Sequence, residues 1–301
     1  MKRRDFLKST ALSSAALSTG FVAERPFSGQ IKTIFMATSW GYNWSLDAFC
    51  AKAKEAGYEG IELWWSNDKI FYRELFDALQ KHELQVGFLT SGNGPDFDKH
   101  FAEFKANLTA VLQQHPVKPL YINCHSGKDY FTAEQNGQLI SFATEMSQKA
   151  GIEVLHETHR GRMCYSAPIT RRFLEQHPDM ALTLDISHWT NVHESLLDDQ
   201  PEAVALALSR ARHIHLRVGH QEGPQVNDPR APEWQNTLNH HLKWWDTVVQ
   251  HRIEAGAEHL TFLTEFGPPN YMPTLPYTKQ PVADQWEINV YMMNLIRARY
   301  A

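Results

Sequence analysis

In the second half of the chain, residues able to ligate a metal close or sit within apolar runs. Glu157 ends IEVLHE, Asp185 ends ALTLD, His213 and His215 lie in HIHLRV, and Glu265 ends LTFLTE. Carboxylates and an imidazole drawn from four separate runs form a mixed oxygen and nitrogen donor set, suited to a divalent ion that keeps positions open for another molecule. Each residue alone reads as a helix cap, an ion-pair partner or a packed polar group. Brought together, the carboxylates would repel one another unless a cation offset their charge. Asp185 is followed three residues later by His188 in LDISHW, so that imidazole can reach either a metal ligand or whatever binds beside it. His213 and His215 fall on the same face of a strand, and alternation alone does not choose between them. His215 lies nearer the strand's C-terminal end and is taken as the ligand, with His213 deeper as a hydrogen-bonded neighbour.

Such a set needs an architecture that sends several strand ends to one mouth. Runs rich in β-branched and aromatic residues at 32–38, 60–65, 84–89, 119–125, 152–157, 181–185, 213–218 and 260–265 alternate with segments of helical period. In LDAFCAKAKEAG, for example, Phe49, Ala53 and Ala56 share one face and Gly57 supplies the stop. Strands separated by helices pair in parallel through right-handed crossovers, and eight such units over 31–301 predict a single (β/α)8 TIM barrel. An open doubly wound sheet would carry a glycine-rich phosphate loop after the first strand, where ATSWGYNW stands instead. No linker or shift in composition divides 31–301. The longest irregular stretch is expected at 219–236, after the seventh strand, where barrel loops carry function.

With 301 residues, 43% of them hydrophobic, the chain has material for a large core. A net charge of -5 supplies no basic field for nucleic acid, so a polyanionic partner is not expected. Cys50, Cys124 and Cys164 are odd in number and widely spaced, which argues against a disulfide framework or a thiolate zinc site. The opening MKRRDFLKSTALSSAALSTGFVA pairs Arg3 and Arg4 with Phe6, Leu7 and a run of small residues. It looks like a twin-arginine export signal over 1–29, which predicts contact with the twin-arginine translocation machinery and a periplasmic location. That segment is too short and too rich in Ser and Thr for stable membrane insertion. Monomer and homo-oligomer both stay open.

GIELWW, NCHSG, HETHRGR, LDISHW, HIHLRVG and TEFG resemble the xylose isomerase-like superfamily of sugar and sugar-phosphate isomerases and epimerases, over essentially all of 31–301. The resemblance implies Glu157, Asp185, His215 and Glu265 as ligands of a divalent metal ion, Mn2+ foremost, with Mg2+, Co2+ or Zn2+ as alternatives. It implies Glu157 and Glu265 as the catalytic pair that removes and returns a proton. It also puts His188 and His125 beside a small carbohydrate substrate and makes Glu62 the buried glutamate of the second-strand motif. Many members carry His-x-Lys-Asp on strand seven, where this chain has Arg217 and Val218.

His159, Arg160, Arg162 and Arg217 could reach a carboxylate or phosphate on the substrate. Trp40, Trp64, Trp65 and Trp189 stand at or just past strand ends, where aromatic rings suit the apolar faces of a sugar; Trp65 is counted among the substrate contacts. The expected activity is metal-dependent isomerisation or epimerisation, by proton abstraction beside a carbonyl to an enediolate. A lyase or hydrolase acting on oxidised glycosides would use the same first step. A phosphodiesterase resembling the DNA-repair endonucleases of the superfamily would need histidines from strands two and three, and 58–66 and 84–94 contain none.

Overall fold

The computed structural model describes residues 30–301; the expected leader, 1–29, lies outside the described residues. Eight parallel strands pair in sequence order and close, β1 (Lys32–Thr38) bonding both to β2 (Gly60–Trp64) and to β8 (His259–Thr264). Between these lie β3 (Gln85–Thr90), β4 (Tyr121–Cys124), β5 (Glu153–Glu157), β6 (Leu182–Leu184) and β7 (Ala211–His215). The fold is a single (β/α)8 TIM barrel, as the alternation predicts.

The helices form where local signals agree. In α1 (Leu46–Ala56) the Ser45 hydroxyl accepts the Ala48 N–H, and Gly57 closes the helix at φ 95°, a left-handed conformation that glycine adopts without strain. In α4 (Ala133–Ala150) Thr132 and Gln135 form a reciprocal capping box. The apolar faces of the helices pack on the outward side chains of the strands in one continuous core.

The inward face of the barrel is graded by period two. Ile34, Met36, Tyr121, Leu155 and Leu263 pack together as a small internal core. Two residues further along the same strands stand Asn123, Glu157 and Glu265, and on β7 His213 is followed by His215 and then Arg217. Tyr121 fills the centre by stacking on His213, with ring centroids 4.0 Å apart, and Gly87 makes room for it. A Cβ at Gly87 would lie 2.4 Å from the Tyr121 ring.

Two expected boundaries shift. β7 begins at Ala211 and ends at His215, so Arg217 lies just past the strand, although Leu216 still donates to the Leu263 carbonyl at 2.7 Å. The longest irregular segment is 265–284, after β8, and not 219–236, because the latter already turns helical at Pro232. Prolines at 268, 269, 273, 276 and 281 remove backbone donors and keep 265–284 from becoming helix. Among the described residues, no helix is long and apolar enough to cross a membrane.

Candidate metal centre and active site

Glu157, Asp185, His215 and Glu265 converge above the internal core, each offering a ligand atom within 4.8 Å of the others. All four are buried, and Glu265 alone lines the open cavity. Neighbours orient each donor. Asn123 Nδ2 and His125 Nε2 donate to Glu157 Oε2 at 2.6 and 2.8 Å, while Glu157 Oε1 is buried with no hydrogen-bond partner. His215 Nδ1 donates to Glu265 Oε2 at 2.8 Å and lies 3.7 Å from Asp185 Oδ2. The other nitrogen of His215, Nε2, faces Glu62 Oε1 at 3.8 Å, so a carboxylate stands behind the ligand imidazole. Asp185 accepts from Ser187 and from the Arg217 guanidinium.

The electrostatics separate these groups. Burial by itself would raise Glu157, yet the charges of His125 and His215 and the hydrogen bond from His125 hold it well below the usual carboxylate range. Asp185 is lowered as well, burial being outweighed by Arg217, His188 and His215. Glu265 moves the other way: burial lifts it above its ordinary value against the pull of His215 and Arg217. Burial would depress His215, but Glu265 and Glu157 hold it well above its ordinary value. Burial, with His159 beside it, keeps His188 neutral, and its Nε2 accepts from Arg217 Nη2 at 2.8 Å.

These residues fit a divalent ion. Three buried carboxylates and an imidazole offer ligand atoms close enough to share one ion, and Glu157 carries an oxygen with nothing to bond. Two neighbouring groups have similar capacity, Glu62 with His213 and His215, and His125 with Glu157 and His159. Each lacks the three-carboxylate convergence.

A cavity of about 480 Å³ opens over β8, β1 and β2 to β5. Trp40, Trp64 and Tyr271 wall it, Glu62 and Glu265 lie at its floor, and His125, His159, Arg162 and Arg217 face it. Gly267 lets Trp40 take its place, since a Cβ there would meet the indole at 2.2 Å. Tyr271 comes from the 265–284 segment, which Gln225 holds through two hydrogen bonds to Gly267. The 219–236 loop thus supports the wall without forming it.

The predicted substrate contacts divide. His125, Arg217 and Glu62 line the cavity, although Glu62 is fully buried beneath the two β7 histidines. His188 is fully buried and touches Arg217 and Asp185, which places it behind the wall. Arg160 turns aside, donating to Asn191 Oδ1 at 3.1 Å with its guanidinium over the Tyr271 ring. Trp65 is a correction. It lies on the outer side of β2 against Phe88 and His115, and its neighbour Trp64 reaches the mouth, with its ring edge-on to His125 at 5.1 Å. The reason is alternation: Glu62 points inward, so Trp64 does too and Trp65 cannot. Trp189 likewise belongs to the core, its indole donating to the Cys164 carbonyl. Two further residues belong to the site. Asn123 shares the inward face with His125 by the same period-two signal, whereas Tyr271, in an irregular loop, carried none.

No protein-family model matches the chain, and no curated protein matches its sequence. Several solved structures share the fold, an epimerase, a probable dehydratase and a xylose isomerase-like TIM barrel protein among them. The apo 3-keto-D-glucoside 4-epimerase YcjR from E. coli superposes with a TM-score of 0.59 at 12% identity, covering 89% of this chain and 100% of its own. A xylose isomerase-like TIM barrel protein from Mycobacterium smegmatis, in complex with magnesium, gives 0.56 at 13% identity over 91% and 98%. The probable 3-DHS dehydratase AsbF of Bacillus anthracis, involved in petrobactin synthesis, gives 0.56 at 16% identity over 88% and 98%. At these identities the likeness establishes the fold.

Proposed function

We propose that this chain is a divalent-metal-dependent isomerase or epimerase of a sugar or sugar derivative. The observation that carries the reading is the convergence of Glu157, Asp185, His215 and Glu265, from four successive strands, within 4.8 Å. When bound there, a divalent ion supplies Lewis-acid polarisation of a carbonyl and acidifies the neighbouring C–H. The chain's own groups do the rest. Glu265, the one donor facing the cavity, is placed to exchange a proton with a substrate carbon. Glu157, held ionised by His125 and His215, is the matching base on the inner side. Arg217, fixed by Asp185 and Ser187, presents a guanidinium toward the substrate's oxygens. Trp40, Trp64 and Tyr271 provide apolar faces and exclude water from the reacting carbon. The similar folds that include an epimerase, a dehydratase and a magnesium complex support this class of chemistry.

Metal analysis of the purified chain, followed by NMR of sugars incubated with it in D2O, tests the reading. Stoichiometric metal and incorporation of deuterium beside a carbonyl are expected. Release of a leaving group would assign a lyase instead, and cleavage of an abasic DNA duplex without sugar exchange would assign a phosphodiesterase.

A further inference from the structure

On one side of the cavity, over β4 and β5, stands a guanidinium with no ion-pair partner in contact among the described residues, Glu157 and Asp129 acting on it only through longer-range attraction. Arg162 lines the cavity, yet its guanidinium makes no hydrogen bond or ion pair among the described residues, and Nη1 is buried with no partner. Arg217, in contrast, is paired with Asp185 and Glu265. The arginine's position is set by its turn, where its own N–H bonds to the His159 carbonyl at 3.1 Å and the next amide, that of Met163, bonds to Ser126. This binds the HETHRGR turn to the HSGK turn after β4. Lys128 is close enough that burial and then Arg162 lower its ammonium, and His100, buried behind them, is held neutral with a pKa of about 4 by burial, Lys128 and Arg162. Two imidazoles also face the cavity here: His125, whose Nε2 donates to Glu157 Oε2 at 2.8 Å, and His159, whose Nδ1 donates to the Arg160 carbonyl at 2.6 Å. With the proton on Nδ1 of His159, its Nε2 accepts bonds and offers the arginine no positive competitor.

A guanidinium with a buried, unbonded N–H is costly unless a counter-charge meets it, and folded proteins pair such groups as a rule. The planar fork of arginine matches carboxylate and phosphate oxygens. We propose that Arg162 forms an oxyanion subsite, so that the sugar accepted by this cavity carries a carboxylate or a phosphate group, received by Arg162 on the β4–β5 side. The subsite rests on the cavity being the substrate site of a sugar enzyme, and it refines that reading from sugars at large to acidic or phosphorylated ones.

Calorimetric titration of the metal-loaded full chain with D-glucuronate, D-glucose 6-phosphate and D-glucose tests it. At least one charged sugar is expected to bind about 10- to 100-fold more tightly than glucose, the scale of hydrogen bonds to a charged group. The arm showing the preference tells carboxylate from phosphate. Arg162→Met should abolish the preference for the charged sugar over glucose while metal content stays the same; should that variant fail to fold, Arg162→Gln removes the same charge with a polar side chain. No preference for either charged sugar in the unaltered chain overturns the proposal, as does a preference that survives loss of the arginine. An oxyanion preference that Arg162 controls, in a protein showing no C–H exchange, would retain the subsite and reject the isomerase reading.

Discussion

Glu265→Gln is the perturbation that bears most directly on the chemistry. Glu265 reaches the cavity with about 10% of its side chain exposed, whereas the Glu157 side chain is 1% exposed and those of Asp185 and His215 are 0%. Glutamine keeps the shape and leaves an oxygen to accept from His215 Nδ1 at the 2.8 Å contact, so the fold should lose only about 1 kcal/mol. What disappears is a titratable group at the substrate and a negative charge 3.4 Å from Arg217. A positioned acid or base contributes about 10²- to 10⁴-fold, or roughly 3–5 kcal/mol of barrier. Deuterium incorporation from D2O into a responsive sugar, followed by NMR with metal content measured in parallel, should therefore fall by that factor. Exchange within about threefold of the unaltered chain, with metal retained, would refute the assigned role. His213→Asn is the internal control. His213 donates to the Thr261 carbonyl at 3.1 Å and faces Glu62 at 3.4 Å, so its loss should cost about 1–3 kcal/mol of stability and leave the metal in place. Loss of the metal instead would transfer the ligand role from His215 to His213.

Trp64→Ala should raise KM for the responsive sugar with little effect on Tm, whereas Trp65→Ala should lower stability by up to about 3–5 kcal/mol and spare KM; the reverse pattern would restore Trp65 to the site. His241 is fully buried, accepts the Gly219 N–H and has its pKa lowered to about 4, chiefly by burial. The unfolded chain takes up that proton near pH 6.5 and the folded chain only near 4, so this stabilisation is complete above about pH 6.5 and is lost as pH falls toward 4, by about 3 kcal/mol. Urea unfolding across that range should show a shallower pH slope for His241→Gln than for the parent, and equal slopes would reject the assignment. For export, which we propose from Arg3, Arg4, Phe6 and Leu7, replacing both arginines by lysine should leave the chain in the cytoplasm with its leader attached; unchanged processing and location would count against the twin-arginine route.

Much of this was legible in the one-dimensional pattern because a barrel obeys short-period rules. Eight apolar runs, each followed by a helix, leave little choice of topology, and strand ends then share a mouth whatever the loops do. That is why Glu157, Asp185, His215 and Glu265 could be grouped from their places at the ends of runs, and why period two, applied from Glu62, would have preferred Trp64 to Trp65. The partners of those groups depend on loops and on side-chain reach, which have no period. Only the folded chain decides that Arg217 closes on Asp185, that His188 faces Arg217 from behind, and that Tyr271 arrives from a proline-rich segment to wall the cavity. It also decides that Arg162, one of three arginines read alike in the sequence, is the one whose guanidinium makes no hydrogen bond or ion pair among the described residues. Pairing is a matter of distances between residues far apart in the chain, and those distances exist only once the barrel has closed.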